Sequence, residues 1–180
     1  MAPIEKRQSI TEIAAVISDA LTKAGLNAVL SGGSVVSIYS DNEYESYDLD
    51  FVTDETIKDV TKVMNKLGFV KKSTRHFEHD NSRYMVEFPP APIAIGNEPV
   101  RDWAELRTKH GTIQILTPTQ CVMDRLAAFY HWNDRQGLDQ AVMVAKRQEV
   151  DLEKVKKWSK EEGHFPKFEE FVTALKGSGS

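Results

Sequence analysis

The 180-residue chain holds a single cysteine, Cys121. A lone thiol closes no disulfide within the chain and builds no thiolate metal cluster. Long apolar runs are also missing. Nothing approaches the roughly 20 consecutive apolar residues that a membrane-crossing helix needs, and Met1–Arg7 carries charges but no apolar stretch of the signal-peptide kind. An excess of one charge is absent too. The 23 Lys and Arg against 27 Asp and Glu leave a net charge of −4, so the chain as a whole is no electrostatic trap for nucleic acid, although a local basic patch stays open. No internal repeat and no low-complexity block occurs. These absences point to a cytoplasmic protein with no membrane partner. What is present is ordinary: 41% hydrophobic and 28% charged residues, enough to fill a core. The length suits one domain, or a core with a small extension.

Periodicity and capping signals divide the chain. Ser9-Ile10-Thr11-Glu12 has the capping-box pattern, and Ile10, Ile13, Ala14, Ile17 and Leu21 follow at helical spacing up to Gly25. Asn27–Leu30 reads as a buried strand, which Ser31-Gly32-Gly33 breaks. Ser34–Tyr39 suits a short helix, and 41–47 a polar loop. Leu49, Phe51 and Val52 mark a second strand with Asp48 and Asp50 interleaved. Asp54 is expected to cap a helix carrying Ile57, Val60, Met64 and Leu67, closed by Gly68. Residues 75–79 and 83–88 suit a hairpin around Asp80-Asn81-Ser82, and Pro89, Pro90 and Pro92 stop its second arm. Residues 93–111 carry no clear pattern, and Thr112–Leu116 reads as a strand. Thr117-Pro118-Thr119-Gln120 is a second capping box with proline at the favoured first position, and four helical segments follow. The expectation is an α/β (α+β) mixed-sheet core over 1–116, a helical bundle over 117–176 and a flexible tail over 177–180.

Chemistry concentrates in Leu30-Ser31-Gly32-Gly33-Ser34 and in Asp48-Leu49-Asp50, with 13 residues between Ser34 and Asp48. Glycines at a strand end let the backbone turn tightly and approach a ligand. The helix behind them presents unpaired N–H groups that attract phosphate, and Ser34 adds a hydroxyl. Asp48 and Asp50, two apart on a strand, point to one face. Such carboxylates repel unless a cation lies between them, and hard oxygen ligands select magnesium. A phosphate turn beside a metal-binding acid pair is the minimum equipment for phosphoryl or nucleotidyl transfer.

This combination resembles the signature of the nucleotidyltransferase superfamily with the polymerase-beta-like palm: apolar-Gly-Gly/Ser, a spacer, then Asp-apolar-Asp/Glu-apolar. The resemblance covers roughly residues 9–116 and is closest to small bacterial and archaeal members of the abortive-infection and toxin–antitoxin kind. It implies that Ser31, Gly32, Gly33 and Ser34 bind the nucleotide, that Asp48 and Asp50 bridge two magnesium ions, with manganese able to replace them, and that a third acid lies on a neighbouring strand. Glu87 in Tyr84-Met85-Val86-Glu87-Phe88 is the best match, with Glu78 and Asp80 as rivals near the turn. In that reading Glu87 binds one metal and takes the proton of an attacking hydroxyl, and the substrate is an NTP. The acceptor is left open between tRNA, protein and a small molecule, and assembly with a second copy or a partner protein is also open. A silent antitoxin-like binding module and an aminoglycoside-type small-molecule enzyme are the alternatives. The stretch Glu43-Tyr44-Glu45-Ser46-Tyr47 departs from the pattern, since many members place a cation there. Tyr44 or Tyr47 suits stacking on a base, and Arg75, Arg83, Arg125 and Lys72 compete as phosphate contacts.

Other polar groupings have blander readings. His76 and His79 suit an exposed hairpin face better than a metal pair. His131, Asp134, Arg135 and Asp139 fit either acceptor contact or helix capping with ion pairs. Arg125 beside Asp124 suits an ion pair as well as a triphosphate. Lys154, Lys156, Lys157 and Lys160 suit a solvated helix face, and Trp103, Trp132 and Trp158 core or interface.

Overall fold

A computed structural model describes residues 2–178. Its helices are α1 Ile10–Lys23, α2 Gly33–Tyr39, α3 Ile57–Lys66, α4 Pro118–Trp132, α5 Arg135–Arg147, α6 Leu152–Glu161 and α7 Phe165–Gly177. The strands are β1 Val29–Ser31, β2 Asp48–Val52, β3 Val70–Lys71, β4 His76–Glu78, β5 Met85–Glu87, β6 Ala94–Ile95, β7 Glu98–Pro99, β8 Ala104–Thr108 and β9 Gly111–Ile115. Seven strands form one mixed sheet in the order β3-β4-β5-β2-β1-β9-β8, and β6 and β7 form a separate small hairpin.

Both capping boxes form. Ser9 accepts from Glu12 N while the Glu12 carboxylate takes Ser9 N, and Thr117 and Gln120 repeat the exchange at α4 behind Pro118. One cap differs from the sequence expectation. Thr56, not Asp54, caps α3: its hydroxyl accepts from Asp59 N at 3.2 Å and donates to Asp59 Oδ2 at 2.8 Å. Gly177 belongs to the last turn of α7 rather than to a tail, and residues 179–180 lie outside the described residues.

The sheet has two unlike faces. Leu30, Leu49, Phe51, Phe77, Val86 and Ile115 alternate onto one face and are fully buried. Burial of each such side chain contributes about 1.5–3 kcal/mol, which fixes strand register because a one-residue slip would turn them outward. Helix α1 packs on β9, α2 at β1 and β2, and α3 at β3. The other face of β2 carries Asp48, Asp50 and Val52. The C-terminal helices centre on α4 and α5, which pack along one another and touch α2. Gly137 makes that approach possible: a Cβ there would lie 2.6 Å from the Arg125 carbonyl oxygen. No helix among the described residues is long and apolar enough to cross a membrane.

Candidate active site

Strands β1 and β2 run antiparallel with Ser31 opposite Asp50, and Gly32 follows directly. Gly32 has φ +71° and ψ −155°, a backbone region that an L side chain avoids. A Cβ at Gly32 would sit 2.8 Å from Asp50 Oδ2. Glycine is therefore required twice, by conformation and by the carboxylate pressed against it. Ser31 Oγ donates to the Asp50 carbonyl oxygen at 3.3 Å, which ties the turn to the acid-bearing strand. Ser34 differs from its sequence assignment. Its side chain is buried and its hydroxyl donates to the Ser31 carbonyl oxygen at 3.0 Å, so it braces the turn from within.

The loop between α2 and β2 is pinned at both ends. Ser37 Oγ donates to the Gly33 carbonyl oxygen at 3.3 Å and accepts from Ser46 N at 2.8 Å, and Ser46 Oγ donates to the Asp48 carbonyl oxygen at 3.0 Å. These bonds set the height of Asp48. The acidity of the loop is partly drawn off, because Glu43 pairs with Arg147 on α5. Tyr44 packs toward Gly33, and Tyr47 is half-exposed, stacked on Tyr84 with centroids 6.4 Å apart.

Strand β5 lies parallel to β2, with Asp48 opposite Met85 and Asp50 opposite Glu87. Directly opposed residues share a face, so Asp48, Asp50 and Glu87 project together. Asp48 and Glu87 are exposed, Glu87 with its side chain 55% accessible, and Asp50 is half-buried. The rivals are set aside by position: Glu78 lies one strand further out, on β4, and Asp80 in the turn beyond it. The hairpin register also brings His76 opposite Glu87. The His76 ring stands with Nε2 3.2 Å from Glu78 Oε1 and Nδ1 3.8 Å from Glu87 Oε1. Sequence reasoning left His76 on an exposed face; the structure puts it beside the third acid. His79 instead packs its ring edge on Phe69 at 5.0 Å.

Electrostatics single out Asp50. Burial, then the neighbouring Glu87 and Asp48 carboxylates, push it up to about 6, against an ordinary value of 3.8. Asp124 adds to the rise, and Arg125 opposes it. Both of these residues stand on helix α4. Arg125 donates to Asp124 Oδ2 from Nε at 3.1 Å and toward Gln140 Oε1 at 3.5 Å. Burial works against its charge, but Asp124 more than compensates and holds its pKa above the usual range. Arg125 is thus partly neutralised within its own helix.

The donor set suits a hard cation: three carboxylates on one face, one of them half-buried with like charges around it, a crowding that a divalent ion relieves. Among the described residues, no three His, Cys, Asp or Glu side chains already converge on a single point. The remaining phosphate candidates are placed apart. Arg75 donates to the Phe88 carbonyl oxygen at 2.9 Å. Arg83 donates to Tyr84 Oη at 2.8 Å and lies over the Tyr84 and Tyr47 rings. Lys72 is exposed near that hairpin.

The polar residues at the α4–α5 junction take the capping and ion-pair role. Asp134 caps α5 through Gln136 N at 3.0 Å, Arg135 pairs with Glu170 at 2.6 Å, and His131 lies 3.0 Å from Glu162. Lys154, Lys157 and Lys160 are solvated as expected. Trp158 is buried and Trp103 half-buried, but Trp132 is 83% exposed, which no core assignment fits.

No protein-family model matches the chain, and comparison with curated proteins finds no match. Among solved structures it is similar to the antibiotic-resistance factor ANT(2'')-Ia in solution, at 14% identity and a TM-score of 0.49 over 94% of this chain and 95% of that one. It is similar also to crystalline ANT(2'')-Ia in complex with adenylyl-2''-tobramycin, at 13% identity and a TM-score of 0.48 over 95% and 98% of the two chains. A tRNA-processing enzyme in an apo form follows at 19% identity and a TM-score of 0.37, over 91% of this chain and 50% of that one.

Proposed function

We propose that the protein transfers a nucleoside monophosphate from an NTP to a hydroxyl-type acceptor and releases pyrophosphate. One observation carries the reading: the Asp50 carboxyl, raised to about 6, wedged under Gly32, beside Asp48 on its own strand and opposite Glu87 on the next. Asp48, Asp50 and Glu87 would hold magnesium, which when bound supplies stabilisation of charge on the entering and leaving oxygens. The chain's own groups do the rest. The Gly32–Gly33 backbone admits phosphate where a side chain would exclude it. Glu87, with its side chain 55% exposed, takes the acceptor's hydroxyl proton as the new bond to the α-phosphorus forms and the bond to the β-phosphate oxygen breaks. The His76 ring stands beside that carboxylate, with Nδ1 3.8 Å from Glu87 Oε1. The pinned Ser37–Ser46–Asp48 chain orients the first aspartate, because misplacement by about 1 Å costs about 100-fold in rate.

Incubation with each labelled NTP, magnesium and cell extract tests the reading. Wild type is expected to transfer label, and Asp48→Ala to lose about 10³-fold or more, the rate equivalent of about 4 kcal/mol. Transfer that survives this substitution undiminished contradicts the assignment. The rival of a different class, a silent binding module on the same fold, requires that the wild type bind neither magnesium nor any NTP. The acceptor is to be read from which component of the extract, RNA, protein or small molecule, carries the label.

A further inference from the structure

The acid-bearing face of the sheet runs on past the acids. Val29 lies opposite Val52, two residues along from the Ser31–Asp50 pair, so both valines share the face that carries Asp50. Two residues of strand span about 7 Å. The valines line a pocket of about 280 Å³. Strand β5, which carries Glu87, continues into the same pocket at Ala91. Both acid-bearing strands therefore lead to it. Ile93, Val100 and Trp103, from the segment between β5 and β8, supply its other walls, and Asn27 and Asp54 are exposed where they meet it. The walls are fixed by bonds within the chain. Thr53 N donates to the Pro89 carbonyl oxygen at 3.1 Å and Ala91 N to the Thr53 carbonyl oxygen at 2.9 Å, which ties the segment to the end of β2. Val100 N donates to the Ile93 carbonyl oxygen at 2.9 Å. Trp103 Nε1 donates to Gln114 Oε1 at 2.9 Å, so the polar edge of the indole is satisfied and its orientation is set.

We propose that this pocket seats the apolar end of the acceptor, and that the acceptor is an alcohol whose neutral ring lies about 7 Å from its reacting hydroxyl; the inference rests on the transferase reading of the acid site. The lining selects that class. An RNA acceptor needs Lys or Arg against its phosphates, whereas Asp54 is the one charged group among the described residues that line the pocket. A polycationic sugar would bury hydroxyl and ammonium groups against Val52, Ile93 and Val100 and leave them unpaired. An apolar ring sheds only its water there and meets the indole of Trp103. Size sets how much of the acceptor enters. Sites for whole small molecules run to about 300–1,000 Å³, so about 280 Å³ takes one end and leaves the hydroxyl over the acids. From that position the hydroxyl oxygen bonds to the α-phosphorus, the bond from the α-phosphorus to its bridging oxygen breaks, pyrophosphate leaves and the hydroxyl proton passes to Glu87.

The test offers wild type, magnesium and labelled NTPs a series of phenyl-terminated primary alcohols of graded chain length. Glycerol, tobramycin and a short RNA with a free terminal hydroxyl serve as comparisons. At least one phenyl alcohol is expected to accept label, with transfer peaking at an intermediate chain length. Val100→Asp is expected to raise the KM of that alcohol about tenfold or more with kcat little changed, because it sets a charge against the ring. Pro99→Asp, at an exposed residue of the same pocket, carries less risk to the fold and is expected to move KM in the same direction. Saturation transfer from the protein to the phenyl protons, read by NMR, should fall in both variants. Equal KM and equal saturation transfer in wild type and both variants place the acceptor elsewhere. Label carried by glycerol, tobramycin, RNA or a component of cell extract, but by no phenyl alcohol, overturns the acceptor class and leaves the transferase reading standing. If the wild type binds no NTP and labels nothing, the pocket assignment and the transferase reading fall together.

Discussion

Asp50→Asn is expected to make the metal-free protein more stable at neutral pH while removing nucleotide transfer. The two effects share one cause. Burial and two nearby carboxylates raise Asp50 from 3.8 to about 6, so the folded state holds this proton more tightly than the unfolded chain does. For an acid raised in this way, the stabilising contribution is complete below the unfolded value and is lost as pH rises through the folded one. The metal-free wild type should therefore weaken between about pH 4 and pH 6. A tenfold change in proton affinity is worth about 1.4 kcal/mol. Water screens part of the group, which leaves a loss of about 1–2 kcal/mol across that range. The amide cannot ionise, so the Asn variant should lack that loss. Chemical denaturation of both proteins in chelator across this pH range checks it. Equal pH dependence in the two would show that Asp50 is not the strained group.

Gly32→Ala is expected to fail in the opposite way, losing stability and activity together. Alanine must adopt φ +71°, a strain of about 1–3 kcal/mol, and its Cβ must push Asp50 Oδ2 away from a 2.8 Å approach. Displacing a reacting-site group by about 1 Å costs about 100-fold in rate. The steric part is separable by a double-mutant cycle. Combined with Asp50→Ala, which removes the obstructing carboxylate, the Gly32→Ala penalty should shrink by about 0.5–3 kcal/mol, the usual size of coupling between contacting residues. Strict additivity would mean that Gly32 and Asp50 do not touch.

Local signals carried much of this arrangement. The two capping boxes, Pro118 at the first turn of α4 and the alternation Asp48-Leu49-Asp50-Phe51 each depend on residues within a few positions, and each appears where the sequence puts it. The opposition of Glu87 to Asp50 rests on a neighbouring strand that resemblance, not spacing, suggested. What escaped depends on distant partners. A turn confined to Asp80-Asn81-Ser82 would pair His76 with Val86 and turn the histidine to the buried face. The observed loop is longer by one residue and pairs His76 with Glu87, and a slip of one residue exchanges the faces. Residues 93–111 gave no pattern because β6 and β7 are two residues each, and their tip is held by Glu162, 65 positions on. Asp54 lost the cap to Thr56 because Thr56 and Asp59 bond reciprocally, a choice between two good cap residues that composition does not decide. Ser34 looked outward in sequence because nothing local says that its hydroxyl closes back on Ser31.

Manganese binding followed by electron paramagnetic resonance, without nucleotide, asks most directly whether the shared carboxylate face is a metal site. Wild type at pH 8 should sequester the ion, while Asp48→Asn and Asp50→Asn, each with its fold verified by circular dichroism, should leave it free in solution. Manganese held equally well by the wild type and both folded variants would contradict the account.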